Sequence, residues 1–212
     1  MDPSPHPDAV HAWLDAWLLE DPAISAARSR AAEVGVACVD ATTGSVLRLL
    51  TAATGARAVV ELGTGAGVSA LWLLRGMRPD GVLTTVDPET EHQRLAKQSL
   101  LEAGYGSGQV RLIAGRALEV LPRLSDAAYD LVFCDAARSE NGDYLAAALR
   151  LLRPGGLVVF AGALAGGRVA DPSARDSETL AMRELAKLVK EQDGLTPALL
   201  PVGTGLLAAV LS

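Results

Sequence analysis

Apolar positions fall at helical spacing over the first quarter of the chain and then break into short runs separated by glycines. Between Ala9 and about Gly35, Trp13, Leu14, Trp17 and Leu18 recur one turn apart and predict two short helices, with Pro22 in the first turn of the second. Val46, Leu49, Leu50 and Ala53 fall at i, i+3, i+4 and i+7. They predict a third helix from about Thr43 to Ala53, stopped by Gly55. Residues 1 to 8 read as a frayed tail, so residues 9–54 form a helical N-terminal extension.

From Arg57 onward strand-like and helix-like segments alternate. Strands are predicted at Arg57–Leu62, Val82–Asp87, Val110–Ile113, Tyr129–Asp135 and Leu157–Ala161, the last entered through a Pro154-Gly155-Gly156 turn. Between and after them come helices at about Val68–Met77, Glu91–Ala103, a short one through Leu118 and Leu121, Asp143–Leu152 and Ser177–Gln192. This alternation predicts a parallel sheet covered on both faces. Pro197–Val202 and Leu206–Leu211 are joined only by Gly203-Thr204-Gly205, a link short enough to force a hairpin and one antiparallel strand. The expectation is a Rossmann-like α/β fold of seven strands, mostly parallel with an antiparallel C-terminal hairpin, in a single domain spanning residues 1–212.

Composition narrows the class. Half of the 212 residues are hydrophobic, which supports a sizeable core and argues against disorder, and with aromatics at 4% that core is built from Ala, Leu and Val. A net charge of −6 with no run of Lys or Arg argues against nucleic acid and anionic membranes as partners. Met1 to Val10 lacks the basic-then-apolar pattern of a secretory leader, and no apolar run is long enough for a membrane span, so a cytoplasmic protein is expected. Cys38 and Cys134 each lie in an apolar stretch and read as buried, reduced thiols.

The first strand–turn–helix unit reads AVVELGTGAGVSALWLL over Ala58–Leu74. Gly63, Gly65 and Gly67 allow a sharp turn and a close approach of backbone N–H groups to a ligand. A dinucleotide fingerprint asks for a third glycine at position 68, which is Val68. Glu61 at the mouth of the loop would repel a pyrophosphate but suits a cation such as the sulfonium and ammonium of S-adenosylmethionine. Asp87, closing the second strand, stands where a carboxylate accepts hydrogen bonds from ribose hydroxyls.

With these residues the chain resembles the class I S-adenosylmethionine-dependent methyltransferases. More narrowly, it is similar to the O-methyltransferase family that includes the catechol and caffeoyl-CoA enzymes and their bacterial relatives. The resemblance extends through Glu20-Asp21-Pro22, Tyr129–Asp135, Leu151–Gly156 and Gly166–Pro172. It implies that Glu61, Gly63 and Thr64, with Gly65 in the same loop, line the methionine end of the cofactor, with Ser69 at the start of the next helix. Asp87 would hold the ribose, Ala117 would contact the adenine through its backbone, and Val39 would approach the cofactor from the N-terminal side. Arg116 stands where the family has an Asp.

Two departures concern the reacting centre. The family holds a divalent metal with a carboxylate after the fourth strand and an adjacent Asp-Asn pair after the fifth. Asp135 is present, but Ala161 and Gly162 stand at the other two positions, so tight metal binding is not expected. Where the family has Asp-Ala-Asp-Lys, this chain has Asp135-Ala136-Ala137-Arg138, and a guanidinium is a poor proton acceptor. Asp135 is the remaining candidate to orient or deprotonate a hydroxyl and also faces the cofactor. Arg138 reads either as a solvated residue or as a clamp for an anionic substrate. No histidine is expected to take part, since His6 and His11 are near the tail and His92 falls on a polar helix face.

The leading expectation is an O-methyltransferase without a divalent metal, acting on a small hydroxylated acceptor, phenols among the candidates. The alternatives are a non-catalytic S-adenosylmethionine-binding protein and a nicotinamide oxidoreductase, the latter disfavoured by Val68 and Glu61. Trp13 and Trp17 read as a roof over a substrate pocket, a contact in a homodimer, or the packed face of an amphipathic helix. The Gly162–Arg168 stretch reads as a mobile substrate loop.

Overall fold

The computed structural model describes residues 7–18 and 20–212. The frayed tail expected over residues 1–8 falls outside these residues as far as position 6, and helix α1 (Pro7–Trp17) starts directly after it. His6 lies outside them as well. Helices α2 (Pro22–Glu33) and α3 (Ala41–Ala53) complete the N-terminal extension. Both start at an aspartate cap: Asp21 accepts the N–H groups of Ala23 and Ile24, and Asp40 accepts that of Thr43.

The remainder is a βα alternation: β1 (Ala58–Leu62), α4 (Val68–Gly76), β2 (Val82–Asp87), α5 (Thr90–Glu102), β3 (Val110–Ala114), α6 (Ala117–Val120), β4 (Tyr129–Cys134), α7 (Asn141–Leu151), β5 (Leu152–Ala161), α8 (Ser177–Glu191), β6 (Leu195–Leu200) and β7 (Leu206–Leu211). The strands form one seven-stranded sheet in the order β3-β2-β1-β4-β5-β7-β6. β1 to β5 run parallel, and β7 inserts antiparallel between β5 and β6.

Alternate strand residues feed two cores. Val59, Leu83, Leu131, Phe133 and Val159 join Leu47 and Leu71 beneath α2 to α5, while Val60, Leu62, Val132, Val158 and Phe160 join Tyr144, Leu145, Met182 and Leu185 beneath α7 and α8. Both faces are therefore covered, as a parallel sheet requires. Between them the two cores bury the strand centres and leave the carboxyl ends of the strands open, where α/β sheets bind ligands.

Four details differ from the sequence-based expectation. β5 starts at Leu152, which is buried and pairs with Tyr129; the Pro154-Gly155-Gly156 segment is a register shift within the strand, with Gly155 at φ +80°. β6 starts two residues earlier than expected, and Pro197 is tolerated because β6 is the edge of the sheet. Trp13 and Trp17 are 63% and 67% exposed and stack on each other with centroids 6.4 Å apart, so neither is the packed face of its helix. Both thiols are free, but only Cys134 is buried; Cys38 is half-exposed.

Candidate functional site

The loop after β1 takes its shape from a collision it has to avoid. Gly63 has φ +93°, and a Cβ there would fall 2.1 Å from the carbonyl oxygen of Asp135 at the end of β4. Any side chain would push the loop off the sheet. Gly67 closes the turn in the left-handed region (φ +90°) as the N-cap of α4, which leaves the first N–H groups of that helix without a side-chain cap. Gly63, Thr64, Gly65, Val68 and Ser69 line a cavity with Val36, Ala37, Cys38, Asp87, His92 and Asp135.

Glu61 lies beneath this loop and is fully buried. Its Oε2 accepts the Thr85 hydroxyl at 2.6 Å, and the Thr85 and Thr64 hydroxyls are 2.7 Å apart. Oε1 has no hydrogen-bond partner among the described residues. Burial pushes the Glu61 carboxyl up to about 8, opposed by the Ser69 and Thr85 hydroxyls and assisted by the negative charges of Asp135 and Asp87. It is neither a helix cap nor a solvated side chain.

Asp87 closes β2 and is buried. Its Oδ2 accepts the N–H of Gly65 at 2.9 Å, which locks the glycine loop onto β2, and its Oδ1 accepts the N–H of Glu89 at 2.9 Å. The His92 Nδ1 stands 3.2 Å from both carboxylate oxygens. His92 therefore lines the site, contrary to its placement on a polar helix face. The Pro88 turn carries α5 round so that this side chain returns to the end of β2, a path that helical periodicity does not register.

Asp135 follows β4, its N–H donating to the carbonyl of Leu62, and its carboxyl faces the cavity. Asp135 itself is exposed at the mouth of the cleft, yet the surrounding protein strips enough water from its carboxyl to raise it above the usual aspartate range, and the positive charge of Arg138 partly counters the rise. Ala117 starts α6 and is buried; Gly115 before it donates its N–H to the carbonyl of Asp87. Arg116 points outward and pairs with Glu140. Val39 is buried in the core, immediately past the Val36–Cys38 stretch that lines the cavity. Arg138 pairs with Glu178 at the start of α8.

Divalent metal of the kind the resemblance implies does not fit these residues. Mg²⁺ needs several hard oxygen ligands. Asp135 supplies one carboxylate, while Ala161 and Gly162 at the end of β5 carry no side-chain oxygen. Among the described residues, no three His, Cys, Asp or Glu side chains converge as a metal group would.

The expected substrate loop is tied down. Residues Ala165–Ala170 form a distorted 3₁₀ segment; the Arg168 side chain pairs with Glu178 and Asp176, and Arg183 donates to the carbonyls of Arg168 and Val169.

Comparisons with known proteins identify the family. A family model described as O-methyltransferase matches residues 19–210. A Mycolicibacterium vanbaalenii protein named as an O-methyltransferase is 57% identical over 190 residues, covering 90% of this chain and 84% of that protein. Among solved structures, the O-methyltransferase TomG from Streptomyces achromogenes, involved in tomaymycin synthesis and solved in complex with SAM, is 33% identical. It superposes with a TM-score of 0.87 over 96% of both chains. An O-methyltransferase from Bacillus cereus in complex with SAH is 26% identical and also reaches 0.87, covering 96% of this chain and 97% of that one. The chain belongs to the O-methyltransferase family.

Proposed function

We propose that the cavity at the carboxyl ends of β1, β2 and β4 binds S-adenosylmethionine and that its methyl group is moved to the hydroxyl of a small acceptor without a divalent metal. The observation that carries this reading is the unpartnered Oε1 of Glu61. A buried carboxyl oxygen without a hydrogen bond is costly unless a ligand completes it, and a ligand that brings a cation does so while stabilising the ionised form. The SAM and SAH held by the two solved relatives support the same choice.

Each residue has a defined task. Asp87 keeps lone pairs for ribose hydroxyls after accepting from Gly65 and Glu89. The uncapped first turn of α4, at Val68 and Ser69, presents N–H groups to a carboxylate. When bound, the cofactor supplies an electrophilic methyl group on sulfur. Asp135 orients the acceptor hydroxyl and takes its proton, a role suited to a carboxyl of raised proton affinity. The acceptor oxygen then attacks in line, and the electrons of the broken carbon–sulfur bond stay on sulfur. Much of the acceleration comes from holding the two reactants in this geometry.

Calorimetric titration with S-adenosylhomocysteine, in EDTA and again in excess Mg²⁺, tests the reading. Saturable binding that is equal in the two buffers is expected, and it should weaken about tenfold or more in Asp87→Ala. Binding that requires Mg²⁺ would overturn the metal-free part, and absence of binding in both buffers would overturn the cofactor assignment.

A further inference from the structure

Arg138 occupies a place that the cofactor contacts do not account for. After Asp135 the chain turns through Ala136 and Ala137 into a 3₁₀ turn, Arg138–Glu140, which carries the Arg138 side chain back over the end of β5. There the guanidinium lies against Gly162: a Cβ on that glycine would fall 2.3 Å from Nη2 and 2.8 Å from Cζ. Gly162 also has φ +70°, a conformation that disfavours any side chain. The guanidinium is thus seated in the volume that a side chain at position 162 would fill. Its charge reaches Asp135, whose proton affinity it lowers.

The guanidinium therefore lies at the end of β5, next to the end of β4 that leads into Asp135, since Cys134 pairs with Phe160 in the sheet. The counter-ion has an independent partner. Glu178 pairs with Arg138, but it also pairs with Arg168, whose Nη2 is 3.0 Å from Oε2. Glu178 further lies in the first turn of α8, where the helix dipole favours a negative charge. Releasing Arg138 therefore leaves no stranded carboxylate. An ordinary structural ion pair lacks this second support.

We propose that the Arg138 guanidinium is the cation that holds the acceptor oxyanion in this site, with Glu178 as its counter-ion until the acceptor arrives. The acceptor hydroxyl gives its proton to Asp135, and the resulting oxyanion hydrogen-bonds to the guanidinium while its electron pair forms the new bond to the methyl carbon. A guanidinium keeps its charge across the working pH range and offers planar, directed donors, so it stabilises an oxyanion without itself exchanging a proton. This inference rests on the cofactor reading above and deepens it by assigning the charge that steadies the acceptor oxygen.

The probe is 4-nitrophenol, whose absorbance reports its ionisation, added in EDTA to the protein saturated with S-adenosylhomocysteine. In the native protein the bound probe should ionise at a lower pH than the free one. Arg138→Met should abolish that shift and weaken probe binding about tenfold or more, and Arg138→Lys should restore part of both. Glu178→Gln should tighten probe binding, because the competing carboxylate is gone. S-adenosylhomocysteine affinity, measured on the same samples, separates the two levels: its loss in the native protein would sink the cofactor reading. Intact cofactor binding with no probe binding at millimolar concentration, or with equal ionisation in the native protein and Arg138→Met, overturns the role of Arg138. Should Arg138→Met fail to fold, Glu178→Gln decides, and unchanged or weaker probe binding there overturns the proposal.

Discussion

Glu61 spends neutral pH largely protonated because burial lifts its carboxyl to about 8, whereas a cationic ligand stabilises the ionised form. Placing a ligand ammonium group beside it must therefore expel a proton, and affinity for S-adenosylhomocysteine, which keeps that ammonium but has a neutral sulfur, should rise with pH by up to about tenfold per unit until the carboxyl ionises near pH 8. Calorimetry at several pH values checks this, with Glu61→Gln expected to show weaker and pH-independent binding. The same group has the opposite effect on the ligand-free fold. Its unfolded value is 4.5 and its folded value about 8, so between them the unfolded chain has lost a proton that the folded chain retains, and stability falls as pH rises. Glu61→Gln should accordingly melt at a higher temperature than the native protein at pH 8, and a lower melting temperature would refute the assigned burial cost. The acid itself was legible in the sequence, because it precedes a glycine loop whose spacing fits no pyrophosphate. Its surroundings were not, since the Thr85 and Ser69 hydroxyls come close to it only in the folded sheet, and Oε1 is left without a partner there. His92 was missed for a related reason: its contact with Asp87 crosses a proline turn and follows no period.

At the level of elements, the site depends on how closely α3 and α4 approach. Gly44 in α3 faces Trp72 in α4, and a Cβ there would fall 2.3 Å from the indole Nε1. Trp72 is only 4% exposed, so the indole would have to shift within the core. Alanine is the better helix former by about 1 kcal/mol, yet overpacking a buried contact costs about 1–3 kcal/mol. Gly44→Ala should therefore lower the unfolding free energy in a urea titration, and a more stable variant would mean that the helices separate at little cost. The apolar stripe of Val46, Leu49, Leu50 and Ala53 made α3 visible in advance, but nothing in its period marked Gly44 as a crossing point. Likewise the contact of Arg138 with Gly162 joins the ends of two neighbouring strands. Sequence motifs located each end separately and left their meeting to the fold.

Across the whole molecule, the alternation of strands and helices together with the three-residue hairpin link was enough to foresee seven strands and one antiparallel partner. The insertion of β7 between β5 and β6 depends on which side of the sheet α8 delivers the chain to, and local patterns do not encode that. The opposite end of the sheet, away from the cavity, is fastened by Asp130 in β4. Its Oδ2 accepts the N–H groups of Arg57 and Ala58 at 2.6 and 2.8 Å, and its Oδ1 pairs with Arg153 in β5, so one carboxylate joins three neighbouring strands at their amino ends. Burial raises this carboxyl, but the two backbone donors and Arg153 outweigh it and hold the group below the usual 3.8. Its contribution to stability is therefore present above pH 3.8 and is lost as pH falls through the lower folded value. Asp130→Asn removes the charge while keeping the shape, and hydrogen bonds to charged groups contribute about 1.5–3 kcal/mol. The variant should be less stable than the native protein by about that amount at pH 7, and the gap should narrow as the pH is lowered below the aspartate range. Denaturant titrations at neutral and acid pH check both statements. A constant gap would mean that Asp130 acts through packing and not through its charge.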